Sequence, residues 1–185
     1  MTAGTTYVAL LRGINVGGKN KVPMAALKQL LEEIGLEDVR TYIQSGNAIF
    51  RSTLAAATIA RQIEQELTAA FRLDDELIKV LVLSHAQLEA VVAQRPKGFG
   101  EAPDKHHSDA IFLMEIDADE AFAVFTPREG VDKVWRGDGV IYSQRLSAER
   151  TKSRLGRIVG TAPYKSMTIR SWATTVKLLE LMEGE

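Results

Sequence analysis

The chain has 185 residues, a formal net charge of −1 and no cysteine. Thiol catalysis, thiolate zinc sites and disulfides are therefore excluded, and so near-balanced a charge is not that of a histone-like polyanion binder. No apolar run approaches the ~20 residues of a membrane span, and MTAGTTYVALLRG has neither a cationic leader nor a long apolar core, so a cytoplasmic protein is expected.

Tyr7 to Arg12 reads as an apolar strand. From Pro23, the positions Met24, Leu27, Leu30, Leu31 and Ile34 follow helical spacing, and Gly35 is the C-terminal stop. Val39 to Gln44 and Ala48 to Ser52 are short strands joined by a tight turn at Ser45-Gly46-Asn47. Ile59, Ile63, Leu67 and Phe71 mark one side of a second helix, and Leu77 to Leu83 supplies a fourth strand. The order over residues 1–83 is βαββαβ, the ferredoxin-like unit.

A helix over Ser84 to Gln94 and the linker-like Arg95 to Asp104 form a connection, assigned to residues 84–107. Residues 108–185 repeat the order, with a strand at Ala110 to Glu115, a short helix at Ala118 to Phe125, and a hairpin of Val131 to Trp135 with Val140 to Gln144. A basic helix from about Glu149 to Val159 follows, then a strand from Tyr164 to Arg170 and a last helix bearing Trp172, Val176, Leu179 and Met182. The expected fold is α+β: two ferredoxin-like (βαββαβ) halves packed as a pseudo-duplicated body, with an extra C-terminal helix. Tyr7 to Leu11 and Ala110 to Met114 are apolar on both strand faces, whereas a half-wet sheet would alternate. The other half, the flanking helices or a second chain must cover the second face, which leaves a homo-oligomer open.

The stretch RGINVGGKNK, Arg12 to Lys21, holds three glycines, two asparagines and three cations and no acid, between a strand and a helix. Such a loop is suited to a negatively charged ligand. Gly13, Gly17 and Gly18 permit positive φ and close backbone approach. Arg12 can grip an oxyanion through two parallel bonds, with Lys19 and Lys21 as point charges. In the expected topology the hairpin turn lies at the same end of the sheet, so Gln44, Ser45 and Asn47, with Asn15 and Asn20, add neutral groups able to read a base or sugar. The competing reading is a surface loop whose glycines turn the chain and whose cations are solvated. Gly13 to Lys19 fits GxxxxGK, but Asn20 stands where a P-loop needs Ser or Thr for magnesium, and hairpins contradict a parallel nucleotide-binding sheet.

A second basic region runs from Arg145 to Lys177, where eight cations face Glu149 alone; acids gather instead at Asp74, Asp75 and Glu76 and from Glu101 to Glu120. Arg150, Arg154 and Arg157 would share a helix face, and with Arg170 and Lys177 they make a secondary anion patch, or else a solvated exterior. Trp172 can stack on a base, but a Trp opening an amphipathic helix is more often a core anchor. The aromatic signature of an RNA-recognition motif is missing. His106 and His107 are adjacent on a strand and so point to opposite sides, with no third ligand at defined spacing; no metal and no cofactor is indicated. No nucleophile elbow or paired-carboxylate motif is present, and the catalytic residues are unknown.

LLRGINVGGKNKVPMAAL, DVRTYIQSGNAIF and MTIRSWATTVKLLEL together resemble the bacterial family catalogued as domain of unknown function 1697. The resemblance implies a pair of ferredoxin-like halves and brings no established activity, which leaves function open. That family usually has Arg-Asn-Trp near its end; Arg170-Ser171-Trp172 stands here, which removes any role needing an amide at Ser171. The expected function is an anion-binding module for nucleic acid or a phosphate-bearing ligand, through Arg12–Lys21 and the Gln44–Asn47 turn. The alternatives are an enzyme acting on a small phosphorylated metabolite and an assembly protein. No membrane partner is expected.

Overall fold

The computed structural model describes residues 4–74 and 78–184. The chain divides into two compact units: one runs to Leu88 and takes in the chain from Leu178, the other spans Glu89–Lys177. The expected segments 1–83, 84–107 and 108–185 are cut differently, because the last turns of the C-terminal helix cluster with the first sheet.

The first unit contains β1 (Thr5–Arg12), α1 (Met24–Glu33), β2 (Glu37–Tyr42), β3 (Asn47–Ser52), α2 (Ala56–Ala70) and β4 (Lys79–Ser84). Its antiparallel sheet has the order β2-β3-β1-β4. The start of the fourth strand expected at Leu77, like the acids Asp75 and Glu76, lies outside the described residues. Helix α1 ends as its sequence requires. Gly35 takes φ +89, its amide donates to the carbonyl of Glu32, and that of Leu36 donates to Leu31, both stop bonds of a glycine-terminated helix. Leu27, Leu30 and Leu31 of α1 and Ile59, Ile63 and Leu67 of α2 pack on Ala9, Leu11, Ala48, Phe50, Val80 and Val82 of the sheet.

The opposite face of β1 is also buried: Val8 and Leu10 have no exposure within this one chain, and Ala110 and Phe112 of the second sheet are equally enclosed. At the first sheet, the end of the C-terminal helix α5 (Trp172–Glu183) is held by Arg40, which donates to the carbonyl of Leu181, and by His85, whose Nε2 lies 3.2 Å from Glu183 Oε1.

The second unit contains β5 (His106–Leu113), α4 (Ala118–Ala123), β6 (Asp132–Arg136), β7 (Val140–Leu146) and β8 (Met167–Ser171), after α3 (His85–Ala93), which crosses the division at Leu88. The sheet order is β6-β7-β5-β8, again antiparallel. Ile111, Leu113, Ile141 and Met167 form its core with Ala121, Phe125, Leu155 and Ile158. A second cluster is aromatic. Phe99 lies edge-on to Trp135, Tyr142 and Trp172 at centroid distances of 5.9, 5.2 and 5.0 Å. A Cβ on Gly100 would sit 2.3 Å from the Trp172 ring. Trp172 is thus a packing anchor, not a stacking platform. Tyr142 donates to the carbonyl of Val91 at 2.6 Å, and burial pushes its phenol up to about 12.

The basic helix expected from Glu149 to Val159 does not form. The chain runs instead through 3-10 turns at Ser147–Lys152 and Leu155–Ile158, then at Pro163–Ser166. The buried Asp132 carboxylate explains the break: it accepts the Ser153 hydroxyl at 2.7 Å and the Arg154 amide at 2.8 Å, donors that a continuous helix would turn elsewhere, and also the Arg128 amide. Burial by itself would raise this carboxyl, but those three bonds and the nearby Arg145 charge hold it below the ordinary aspartate value. A depressed folded value stabilises above the unfolded one and is lost as pH falls through the folded one. Asp132→Asn is therefore expected to cost about 2 kcal/mol at neutral pH. Urea unfolding should show that difference shrinking as pH falls below the ordinary aspartate range.

Candidate functional site

The Arg12–Lys21 loop folds as a miniature hairpin. Gly17 and Gly18 take φ +57 and +76, positive at both central positions of the Val16–Lys19 turn, as in a type I′ turn. The Lys19 amide donates to the Val16 carbonyl at 2.9 Å and the Asn15 amide to that of Asn20 at 2.9 Å. Those amides are thus spent inside the loop, and the glycines serve the turn. This differs from a phosphate cradle, which aims successive amides outward.

Asparagine side chains brace the structure. Asn15 Nδ2 donates to the carbonyls of Val22 and Gln44, both at 2.9 Å, while its Oδ1 accepts the Val22 amide at 2.8 Å. Asn20 Nδ2 donates to the Gly13 carbonyl and its Oδ1 accepts the Asp74 amide. Buried Asn47 donates to the Tyr42 carbonyl and to Ser45 Oγ. These three amides hold the backbone, so they do not serve as readers of a base or sugar.

The two bends do converge, as the topology predicts. Besides the Asn15–Gln44 bond, the Leu11 amide donates to the Gly46 carbonyl at 2.8 Å, and a Cβ on Gly46 would lie 2.8 Å from Ile14 Cδ1 and 2.9 Å from Leu11 Cβ. Only glycine fits there, and φ +86 says the same. The turn occupies residues 43–46, and Ile43 takes φ +50, a strained conformation for a β-branched residue costing about 1–3 kcal/mol.

Between the bends and the start of α1 lies an open hollow of about 600 Å³, lined by Asn15, Gly18, Lys21, Val22, Pro23, Met24, Ala25 and Gln44. Of the candidate residues it gathers Asn15, Gly18, Lys21 and Gln44; Arg12, Gly13, Gly17, Lys19, Asn20, Ser45 and Asn47 are not part of its lining. The α1 half of the lining was missed in the sequence, although a signal was there. The helix opens at Pro23, which offers no side-chain acceptor, and its first turn has no acid, so no side-chain cap or acid occupies its positive end.

The secondary patch is not assembled. Arg150 sits on one 3-10 turn, Arg157 on the next and Arg154 in the link between them, and Arg170 is 6% exposed, donating to Thr168 Oγ1 at 3.0 Å and the Ile169 carbonyl at 2.9 Å. Burial pulls its guanidinium down to about 10. Lys177 is half-buried on α5. His107 Nε2 lies 3.0 Å from an oxygen of Asp109, whose carboxyl burial raises against the opposing pull of His107 and Arg145. Among the described residues no three metal-ligating side chains cluster.

Asn15→Ala, removing the bracket, is expected to lower stability by about 1–2 kcal/mol. Hydrogen exchange should accelerate at the Val22 amide in that variant while the second unit stays protected.

A model of the family described as "Protein of unknown function (DUF1697)" matches residues 4–142. The chain is also similar to a solved structure, conserved bacterial protein SP0830 from Streptococcus pneumoniae. The two share 29% sequence identity with a TM-score of 0.81, over 96% of this chain and 98% of that one. No curated protein matches.

Proposed function

For a chain that belongs to the DUF1697 family of proteins of unknown function, we propose an anion-binding role centred on the hollow at the head of α1, with a phosphate-bearing ligand. The observation that carries this reading is the placement of Lys21 on the same hollow as an acid-free helix start. A helix N-terminus favours negative charge by about 0.3–1 kcal/mol, and an ammonium beside it adds to that field.

Binding is favoured over catalysis by the lining itself. Lys21 is the only titratable side chain among those residues, and no carboxylate, imidazole or hydroxyl accompanies it. A single phosphoryl group is favoured over a nucleic-acid strand, because a strand needs a track of cations and Arg150, Arg154 and Arg157 do not align. An assembly role loses its motive where Val8, Leu10, Ala110 and Phe112 are already buried. The same reading takes each sheet as a ferredoxin-like half, supported by the matching orders β2-β3-β1-β4 and β6-β7-β5-β8. A cytoplasmic location is part of the proposal. Among the described residues no helix is long and apolar enough to cross a membrane.

Titration with inorganic phosphate, followed by amide chemical shifts, is expected to move Lys21, Met24 and Ala25. Lys21→Ala should weaken binding several-fold. Ala25→Glu should abolish it while leaving the thermal midpoint unchanged or higher, since an acid in the first turn stabilises the helix by about 0.3–1 kcal/mol. Shifts absent from these residues at millimolar phosphate would refute the site.

A further inference from the structure

The hollow is mostly apolar. Gly18, Val22, Pro23, Met24 and Ala25 make up five of its eight lining residues. Asn15, one of the three polar ones, has its amide committed to Val22 and Gln44. Of its side chains, Lys21 and Gln44 are what remain to meet a polar group. The open hollow, of about 600 Å³, is also far larger than one phosphate needs.

We infer that the ligand is a small amphiphilic phosphate monoester, with one phosphoryl group at Lys21 and an aryl or short alkyl body lying on Pro23, Met24 and Ala25. This rests on the anion reading above and adds the body that the phosphate carries. One cation matches one phosphoryl group, and a polyanion would leave its other charges over apolar surface. A sugar phosphate fits less well, because its hydroxyls would meet Met24, Pro23 and Ala25 without partners.

The test compares 1-naphthyl phosphate, inorganic phosphate and 1-naphthol by isothermal titration of the full chain. Naphthyl phosphate is expected to bind at least about tenfold more tightly than either of the others, from the apolar area it buries and the charge it pairs. Met24→Ala, which shortens the apolar contact and adds no polar group, should weaken naphthyl phosphate about fivefold and so narrow its advantage over inorganic phosphate. The comparison of the three probes on the unsubstituted chain carries the test if that variant misfolds. Equal affinities for naphthyl phosphate and inorganic phosphate would overturn the amphiphile and leave the anion site standing. Equal affinities for naphthyl phosphate and naphthol would show a merely apolar hollow, and no binding of any probe would remove both readings.

Discussion

One side chain, Asn15, organises the end of the first sheet. Its carboxamide pairs with both backbone groups of Val22, as a neighbouring strand would, and its second amide hydrogen reaches the Gln44 carbonyl. The loop after β1, the entry to α1 and the β2–β3 turn are thereby tied at one point. Without that bracket the backbone groups of Val22 would need water or another partner. Lys21 would then sit on a loose segment. Asn15 also takes φ +54, a conformation that asparagine tolerates better than most residues. Residue type and backbone geometry agree there.

The hollow that results is chemically spare, with one ammonium, one free-standing amide side chain and an apolar floor. Such a site recognises by shape and one charge rather than by a dense hydrogen-bond pattern. The second unit shows the opposite use of charge. Asp132 gathers the Ser153 hydroxyl and the amides of Arg128 and Arg154, and Arg170 turns inward to Thr168. Of the residues that look like a binding surface in the sequence, Arg154 contributes its backbone amide to that irregular stretch and Arg170 is turned into the interior.

The elements legible in the sequence are those whose signals are local. Leu27, Leu30 and Leu31 fall on one stripe and Gly35 ends it, so α1 is found within a residue at either end. Both hairpins follow from turn residues between apolar strands, and the convergence of the two bends follows from strand order, seen in the Asn15–Gln44 bond. The supposed helix over Glu149–Val159 failed because its competitor, Asp132, lies outside that segment. Part of the expected site is rearranged in space for a similar reason. Gly17 and Gly18 suit a type I′ turn as well as a phosphate loop, and only the partners of Lys19 and Asn15 separate the two.

Sequence alone determined the family, the α+β order, the absence of thiol chemistry and the neighbourhood of the two bends, because periodicity, glycine stops and composition are properties of short stretches. Tertiary structure decided which polar groups remain available. Asn15, Asn20 and Asn47 are spent on backbone, and Arg170 is turned into the interior, while Met24 and Ala25, unremarkable as letters, line the hollow. A hydrogen bond is used up by whichever partner arrives in space, and no local pattern records that allocation.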